Sequence, residues 1–380
     1  MMDLNKSTVK ILAFYLPQFH PIPENDKWWG KGFTEWSNVV STRPRFPGHH
    51  QPHLPADLGF YDLRLHETRI AQAELAQNYG IYGFCYYHYW FNGKLLLDAP
   101  LKSVLSSSKP AIPFCICWAN ENWTRAWDGL DRQVLIKQEY SSQDSCRHIE
   151  YLLPIINDSR YITIDDRPLI LIYQPDSIPD LSTFLSLWRK VASQSCSSGI
   201  YLAGVMNSFS GMTEQQYLEA GFDAVIDFQP NRSDFPEPKA FVPKIKNALQ
   251  YYLPDKIYQK IKLSITANNI VNYQEMVVNI QKNIWPEEYT KFPCVFPSWD
   301  NSPRRKTATI IQNCDYNLFS QWLMNSLSNV KKYKVQEQIV FINAWNEWAE
   351  GCHLEPDKVN GHGFLKAVLD AIQGNSRINP

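Results

Sequence analysis

Two carboxylates three residues apart, Glu347 and Glu350, stand in the segment Asn343-Ala344-Trp345-Asn346-Glu347-Trp348-Ala349-Glu350-Gly351. If the segment is a turn that begins a helix, the two share a face and point into one pocket. Like charges that close keep one proton between them, which raises one pKa and leaves an acid beside a base at neutral pH. Such a pair is the apparatus of glycosidic cleavage. The same spacing also suits two acids favoured at a helix N-terminus by the macrodipole alone. A further carboxylate, Glu121, lies in Trp118-Ala119-Asn120-Glu121-Asn122-Trp123-Thr124-Arg125.

These segments need elements to hold them together. Eight short apolar runs of strand length, rich in β-branched and aromatic residues, recur along the chain: Val9 to Leu16, Ile81 to Tyr87, Ile112 to Trp118, Pro168 to Tyr173, Ile200 to Val205, Ala224 to Phe228, Pro293 to Pro297 and Gln338 to Ala344. Helical patterns lie between several of them, at Arg64 to Asn78, Leu181 to Ser193, Thr213 to Ala220 and Tyr316 to Ser328. Continuous apolar strands alternating with helices imply a parallel sheet buried on both faces. Eight such units favour a closed (β/α)8 TIM barrel with long loops at its carboxyl face. No linker or internal repeat divides the 380 residues, so one domain, 1–380, is expected. The run Ile261 to Thr266 is surplus to the count of eight.

A barrel carries its chemistry just after its strands. There the aromatics gather: Trp28, Trp29, Trp36, Trp90, Trp118, Trp123, Trp127, Trp299, Trp345 and Trp348 are ten of the 13 tryptophans. Flat apolar rings rimmed by hydrogen-bonding groups suit sugar rings, so the rim reads as a carbohydrate cleft. Candidate sugar contacts are Trp118, Asn120, Glu121, Trp123, Tyr87, Trp90, Trp299, Trp345, Asn346 and Trp348. Tyr15 and Gln18 follow the first strand and could touch the sugar, though Tyr15 equally suits the core. Asp300 and Arg304 either bind hydroxyls or pair with each other, and Glu35 is a sugar contact or a loop brace. His88, between aromatic residues, reads as a packing residue rather than a base.

Composition removes other classes. With 37 basic and 38 acidic residues and no block of like charge, the chain lacks the footprint of nucleic-acid binding. No window reaches the length of a transmembrane helix, so no integral membrane segment is expected. The first residues lack a signal-peptide pattern, and the eight scattered cysteines suit buried thiols in a reducing cytoplasm. His49, His50 and His53 sit in a Pro-rich loop without acidic partners at ligand spacing, so neither a metal nor another cofactor is expected. Oligomeric state leaves no trace in the sequence, and residues 232–254 carry no pattern that assigns them a chemistry.

Six segments in order resemble one family. They are Phe14-Tyr15-Leu16-Pro17-Gln18-Phe19-His20, Trp29-Gly30-Lys31-Gly32-Phe33-Thr34-Glu35-Trp36, Gly83-Phe84-Cys85-Tyr86-Tyr87-His88-Tyr89-Trp90, the segment around Glu121, Ser298-Trp299-Asp300-Asn301, and the segment from Ala344 through Glu350 to Asp357. Together they resemble the WbsX-type proteins of bacterial surface polysaccharide clusters, which are similar to glycoside hydrolase family 99, the endo-α-mannosidases. The resemblance spans roughly residues 9 to 370. It implies a (β/α)8 barrel and a retaining enzyme on an α-linked surface or O-antigen glycan. It further implies that Glu347 takes the proton of the sugar 2-hydroxyl, so that O2 attacks the anomeric carbon and forms a 1,2-anhydro sugar. Glu350 then protonates the leaving oxygen and later activates water, and Glu121 is a third carboxylate at the sugar. The family also bears a glycosyltransferase label, which keeps transfer in lipopolysaccharide or capsule assembly as an alternative. A noncatalytic sugar-binding protein is a third class, disfavoured by the paired Glu. The expected partner is an oligosaccharide or polysaccharide.

Overall fold

The computed structural model describes residues 9–125, 130–236 and 268–378. Eight parallel strands, Lys10–Tyr15 (β1), Gly83–Phe91 (β2), Phe114–Trp118 (β3), Arg167–Ile172 (β4), Tyr201–Met206 (β5), Ala224–Asp227 (β6), Thr290–Val295 (β7) and Ile339–Ile342 (β8), bond side by side. Strand β1 pairs with both β2 and β8, which closes the barrel. The helices that follow the strands in turn are His66–Asn78 (α1), Ala99–Leu105 (α2), Ser142–Ile156 (α3), Leu181–Ala192 (α4), Glu214–Ala220 (α5), Tyr273–Ile280 (α6), Tyr316–Asn329 (α7) and Gly363–Ile378 (α8). This is the (β/α)8 barrel expected from the eight apolar runs. The surplus run Ile261 to Thr266, Trp127 and residues 237–254 lie outside the described residues. Among the described residues, no helix is long and apolar enough to cross a membrane.

Local chemistry sets the ends of these elements. Thr213 and Gln216 form a reciprocal capping box at the start of α5, and Gly221 closes it at a φ of 114°. Ser141 and Asp315 cap α3 and α7 through their side-chain oxygens. Strand β2 runs four residues beyond its expected end at Tyr87, because Asn92 and Gly93, with φ of 47° and 84°, turn it into a hairpin with Lys94–Leu96. An Asn-Gly pair supplies the two positive φ values that a two-residue hairpin turn requires.

Strand alternation then sorts the aromatic residues. Phe14, facing the interior of β1, meets Tyr87, Phe228 and Phe341 at centroid distances of 5.5, 5.2 and 5.4 Å. Its neighbour Tyr15 faces outward, donating to Gln72 of α1 at 2.7 Å. Tyr87 and Tyr89 point into the barrel mouth, whereas His88 and Trp90 point out to α3, where Trp90 stacks on His148 at 4.7 Å and donates to Asp144 at 3.0 Å. Trp118 also faces outward, against Phe184 and Trp188 of α4 at 5.8 and 5.7 Å. A period of two gives neighbouring residues opposite faces, so Tyr15, Trp90 and Trp118 are core residues between sheet and helices rather than sugar platforms.

Replacing Trp118 with Ala should therefore cost about 3–5 kcal/mol of stability. Trp123→Ala, on the cavity wall, should cost much less. Denaturant unfolding of both variants measures the difference.

Candidate active site

At the carboxyl ends of the strands lies a cavity of about 310 Å3. Its floor is the top aromatic layer of the barrel interior, with Tyr87, Tyr173 and Phe228 in edge contact at 5.5 to 5.7 Å. The β1–α1 connection contributes Gln18, Asn25 and Trp29, and the β3–α3 connection contributes Glu121, Asn122 and Trp123. Trp299, Arg304 and Arg305 come from the β7–α7 connection, braced by a small sheet of Trp299–Asp300, Ala308–Gln312 and Asn268–Asn272. Glu347 and Glu350 follow β8.

Arg304 is the centre of the charge arrangement. Its guanidinium lies 2.9 Å from Glu35, 3.0 Å from Glu347 and 3.3 Å from Glu350. It also donates to Gln18 at 3.4 Å, and Gln18 in turn donates to Tyr89 at 2.9 Å. One cation cannot neutralise three anions. Arg304 is accordingly held firmly charged, chiefly by Glu347, Glu35 and Glu350 against the cost of its burial. Burial drives the Glu347 carboxyl well above the usual range despite Arg304, and the charges of Glu350 and Glu35 push the same way. Glu35 is raised by burial too. Both shifts favour the protonated form, so the crowded cluster resists full ionisation. Across the cavity, Glu121 reaches solvent through the mouth yet is walled by protein on its sides. That poor hydration, aided by the charge of Glu350 and opposed by Arg305, pushes its carboxyl up to about 7.

The turn carrying the pair differs from the helix start expected of it. Asn346 and Glu347 form an antiparallel bridge with His353 and Cys352, and Trp348–Glu350 make a single 3-10 turn. Side chains three apart nearly eclipse in that geometry, so Glu347 and Glu350 still reach one guanidinium. A turn this short has no macrodipole of consequence, which removes the bland explanation for the two acids. Gly351 ends the turn at a φ of 56°, where a Cβ would sit 3.1 Å from the Asp300 backbone nitrogen. Asn346 is spent on architecture: its side chain accepts from Leu16 N at 2.8 Å and donates to Leu16 O at 3.0 Å, tying the end of β8 to the end of β1. Beneath the turn, buried Glu355 accepts from Trp348, Tyr61 and Gln72 at 2.7, 2.7 and 2.6 Å.

Of the residues singled out in the sequence, Gln18, Tyr87, Glu121, Trp123, Trp299, Arg304, Glu347 and Glu350 line this cavity. Trp345 and Trp348 do not, being fully buried, the first against Phe84 at 5.3 Å and the second between Trp36 and His353. Asn120 is buried as well, bridging Tyr140 and the Gln174 carbonyl. Asp300 is not Arg304's partner. It accepts from His49 and Gln51, each at 2.6 Å, in a neighbouring cavity that shares Trp299. Glu35 is the brace of Arg304, and His88 is a packed residue bonded to His148 at 3.0 Å. Trp29, one of the rim tryptophans, lines the cavity too, whereas Tyr89 and Tyr173 were missed. Tyr89 becomes legible once Asn92-Gly93 is recognised as a hairpin turn, since it then shares a face with Tyr87.

The family model described as glycosyltransferase WbsX matches residues 11–368. The chain belongs to that family. Two proteins from different strains of Xanthomonas campestris pv. campestris, each described as uncharacterized protein WxcX, are 39% identical to it over 364 residues, 95% of this chain and 49% of theirs. This WbsX-family chain thus spans about half the length of the curated relatives it matches. Among solved structures, the family 99 endo-α-mannosidase of Bacteroides thetaiotaomicron with bis-tris-propane superposes with a TM-score of 0.58 at 11% identity, covering 97% of each chain. A second structure of that enzyme gives 0.57 at 12% and the same coverage. A glycoside hydrolase-like protein gives 0.57 at 13%, covering 96% of this chain and 94% of its own. The WbsX-family chain shares their fold.

The electrostatics make a direct prediction. Glu121 should titrate near 7 when followed by carbon NMR of labelled glutamate, and Glu350→Gln should move that titration downward, because it removes a negative charge that disfavours ionisation. An unchanged titration would mean that the two carboxyls do not sense each other.

Proposed function

We propose that this WbsX-family chain is a glycoside hydrolase-like enzyme that cleaves an α-linked bacterial surface glycan with retention of configuration. The observation that carries this reading is the meeting of Glu347 and Glu350 on one guanidinium, at 3.0 and 3.3 Å, inside an aromatic-walled cavity. Trp29, Trp123 and Trp299 supply ring surface for sugar C–H groups. Tyr87, Tyr89 and Tyr173, their phenols raised by burial, stay protonated and can donate to hydroxyls. The shared fold with endo-α-mannosidases supports an α-linked, mannose-like substrate.

In the first step the Glu347 carboxylate takes the proton from the sugar 2-hydroxyl and O2 attacks the anomeric carbon. The glycosidic bond breaks as Glu350 gives its proton to the leaving oxygen, forming a 1,2-anhydro sugar. In the second step Glu350, now a carboxylate, takes a proton from water, whose oxygen attacks the anomeric carbon. The ring opens and O2 recovers its proton from Glu347. A raised pKa suits Glu347 for this, since a carboxylate of higher pKa is the stronger base once ionised, and Arg304 at 3.0 Å keeps the ionised form within reach. Two inversions at the anomeric carbon give net retention.

The description of the family as a glycosyltransferase favours a second reading, in which an acceptor hydroxyl replaces water in the second step. Incubation with a purified α-linked surface glycan, with and without a large excess of acceptor sugar, separates hydrolysis from transfer by the products formed.

Removing either Glu tests the roles. Glu350→Gln should slow cleavage of poor leaving groups about 10²-fold or more and spare activated aryl or fluoride donors. Glu347→Gln should depress both classes, and a 2-deoxy substrate should fail with the unaltered enzyme. Normal turnover by folded Glu347→Gln protein would rule out the 2-hydroxyl as nucleophile and turn attention to Glu121.

A further inference from the structure

Behind Trp299 lies a second cavity of about 510 Å3, walled by residues 48–53 of the β1–α1 connection and by Gly351, Asp357 and Asn360 after β8. His53 and Asp357 line it, and with buried His353 behind them they bring one nitrogen or carboxylate oxygen each within 4.8 Å of the others. The ring nitrogens His53 Nδ1 and His353 Nε2 are 3.0 Å apart, and Asp357 Oδ2 lies 3.9 Å from that same Nε2.

The hydrogen bonds around the cluster decide what these atoms can do. His353 Nδ1 is 2.9 Å from the carbonyl oxygen of Glu355, which only accepts, so this nitrogen carries the proton. With Nδ1 so engaged, Nε2 is the nitrogen that offers a lone pair to the space beside His53 Nδ1 and Asp357 Oδ2. His53 stands opposite it, with Nδ1 at 3.0 Å. It can satisfy that lone pair by donating from Nδ1, or move its proton to Nε2 and present a second lone pair. Asp357 is fixed rather than free: Oδ1 accepts from the backbone of Val359 and Asn360 at 2.7 and 2.6 Å, and Oδ2 accepts from the Asn360 amide at 2.8 Å. An outer ring of a carbonyl on the imidazole and amides on the carboxylate is the arrangement that orients metal ligands.

We propose that His53 Nδ1, His353 Nε2 and an Asp357 carboxylate oxygen form a binding site for one divalent transition-metal ion of the zinc class. Two imidazoles and one carboxylate match the ligand preferences of such ions and leave a position free. His53, which is half-buried, and Asp357 line the second cavity, which gives the ion a way in. Binding needs a shift of the His53 proton from Nδ1 to Nε2 and a parting of the two rings by a few tenths of an ångström. Two negative charges, Asp357 as ligand and Asp300 nearby, offset the two positive charges of the ion. The ion would brace the turn that bears Glu347 and Glu350, because His353 stacks on Trp348 of that turn at a centroid distance of 3.8 Å. The metal-free expectation drawn from His49, His50 and His53 had no means of finding this cluster, since two of its three members come from a loop 300 residues downstream of His53. The site stands independently of the proposed cleavage reaction.

Zinc and cobalt binding to the chelator-stripped full chain tests the proposal. Titration against a chromophoric competitor should give one equivalent of zinc, and zinc should raise the melting temperature of the unaltered protein. Cobalt should give visible d–d bands without the charge-transfer band of a thiolate ligand. His53→Ala and Asp357→Asn should each weaken zinc about 100-fold and abolish its effect on melting. Asp357→Asn keeps the acceptor for the two backbone amides, so it reads the site even if His53→Ala fails to fold. Absence of stoichiometric binding, equal affinity in the variants, or a cobalt–thiolate band would overturn the proposal and leave a hydrogen-bonded histidine clamp.

Discussion

One guanidinium organises the mouth of this barrel. Arg304, its side chain 11% exposed, binds Glu35 from the β1–α1 connection and both Glu347 and Glu350 from the turn after β8. Taking these charges out of water is costly, and the cost is offset only when geometry and hydrogen bonding are nearly complete. Removing one partner of a buried ion pair leaves an uncompensated charge, so three loops distant in sequence are held to one relative placement. Excess negative charge is the chemical consequence. Burial and neighbouring acids raise the proton affinities of Glu347 and Glu35, as acid and base work requires.

The surrounding structure serves that cluster. Glu35 contacts Arg304 but does not line the cavity, which leaves Glu347 and Glu350 as the members open to a ligand. Asn346 ties their turn to β1, and Gly351 lets the turn pass close over Asp300. Below, Glu355 gathers Tyr61, Gln72 and Trp348, and burial pushes its carboxyl up to about 7. The aromatic floor of Tyr87, Tyr173 and Phe228 closes the barrel interior beneath the polar groups.

The barrel was legible because parallel strands buried on both faces leave continuous apolar runs, and β1, β3 and β8 fall within such runs. The paired Glu were legible because acids three apart reach one partner in either a helix or a 3-10 turn. Aromatic side-chain direction was not. Position at the strand ends placed Trp118 and Trp90 at a rim, but strand register turned both toward the helices, and a one-residue change of phase decides that choice. The extension of β2 was written in Asn92-Gly93 and overlooked, which hid Tyr89. Partners such as Arg304 with Glu35, or His53 with His353, lie too far apart in sequence for spacing to reveal them. Asn346 shows the converse: a polar residue beside the pair looked like a sugar ligand until its two bonds to Leu16 accounted for it.

The central claim is that Glu347 and Glu350 act in succession on one sugar, with two inversions at its anomeric carbon. The most direct test follows the first product of α-linked surface glycan cleavage in water enriched in oxygen-18, with proton NMR reading its configuration and mass spectrometry locating the label. The account predicts an α-configured reducing end that carries the label at the anomeric carbon, formed before mutarotation. A β-configured first product, or label in the departing sugar instead, would contradict it.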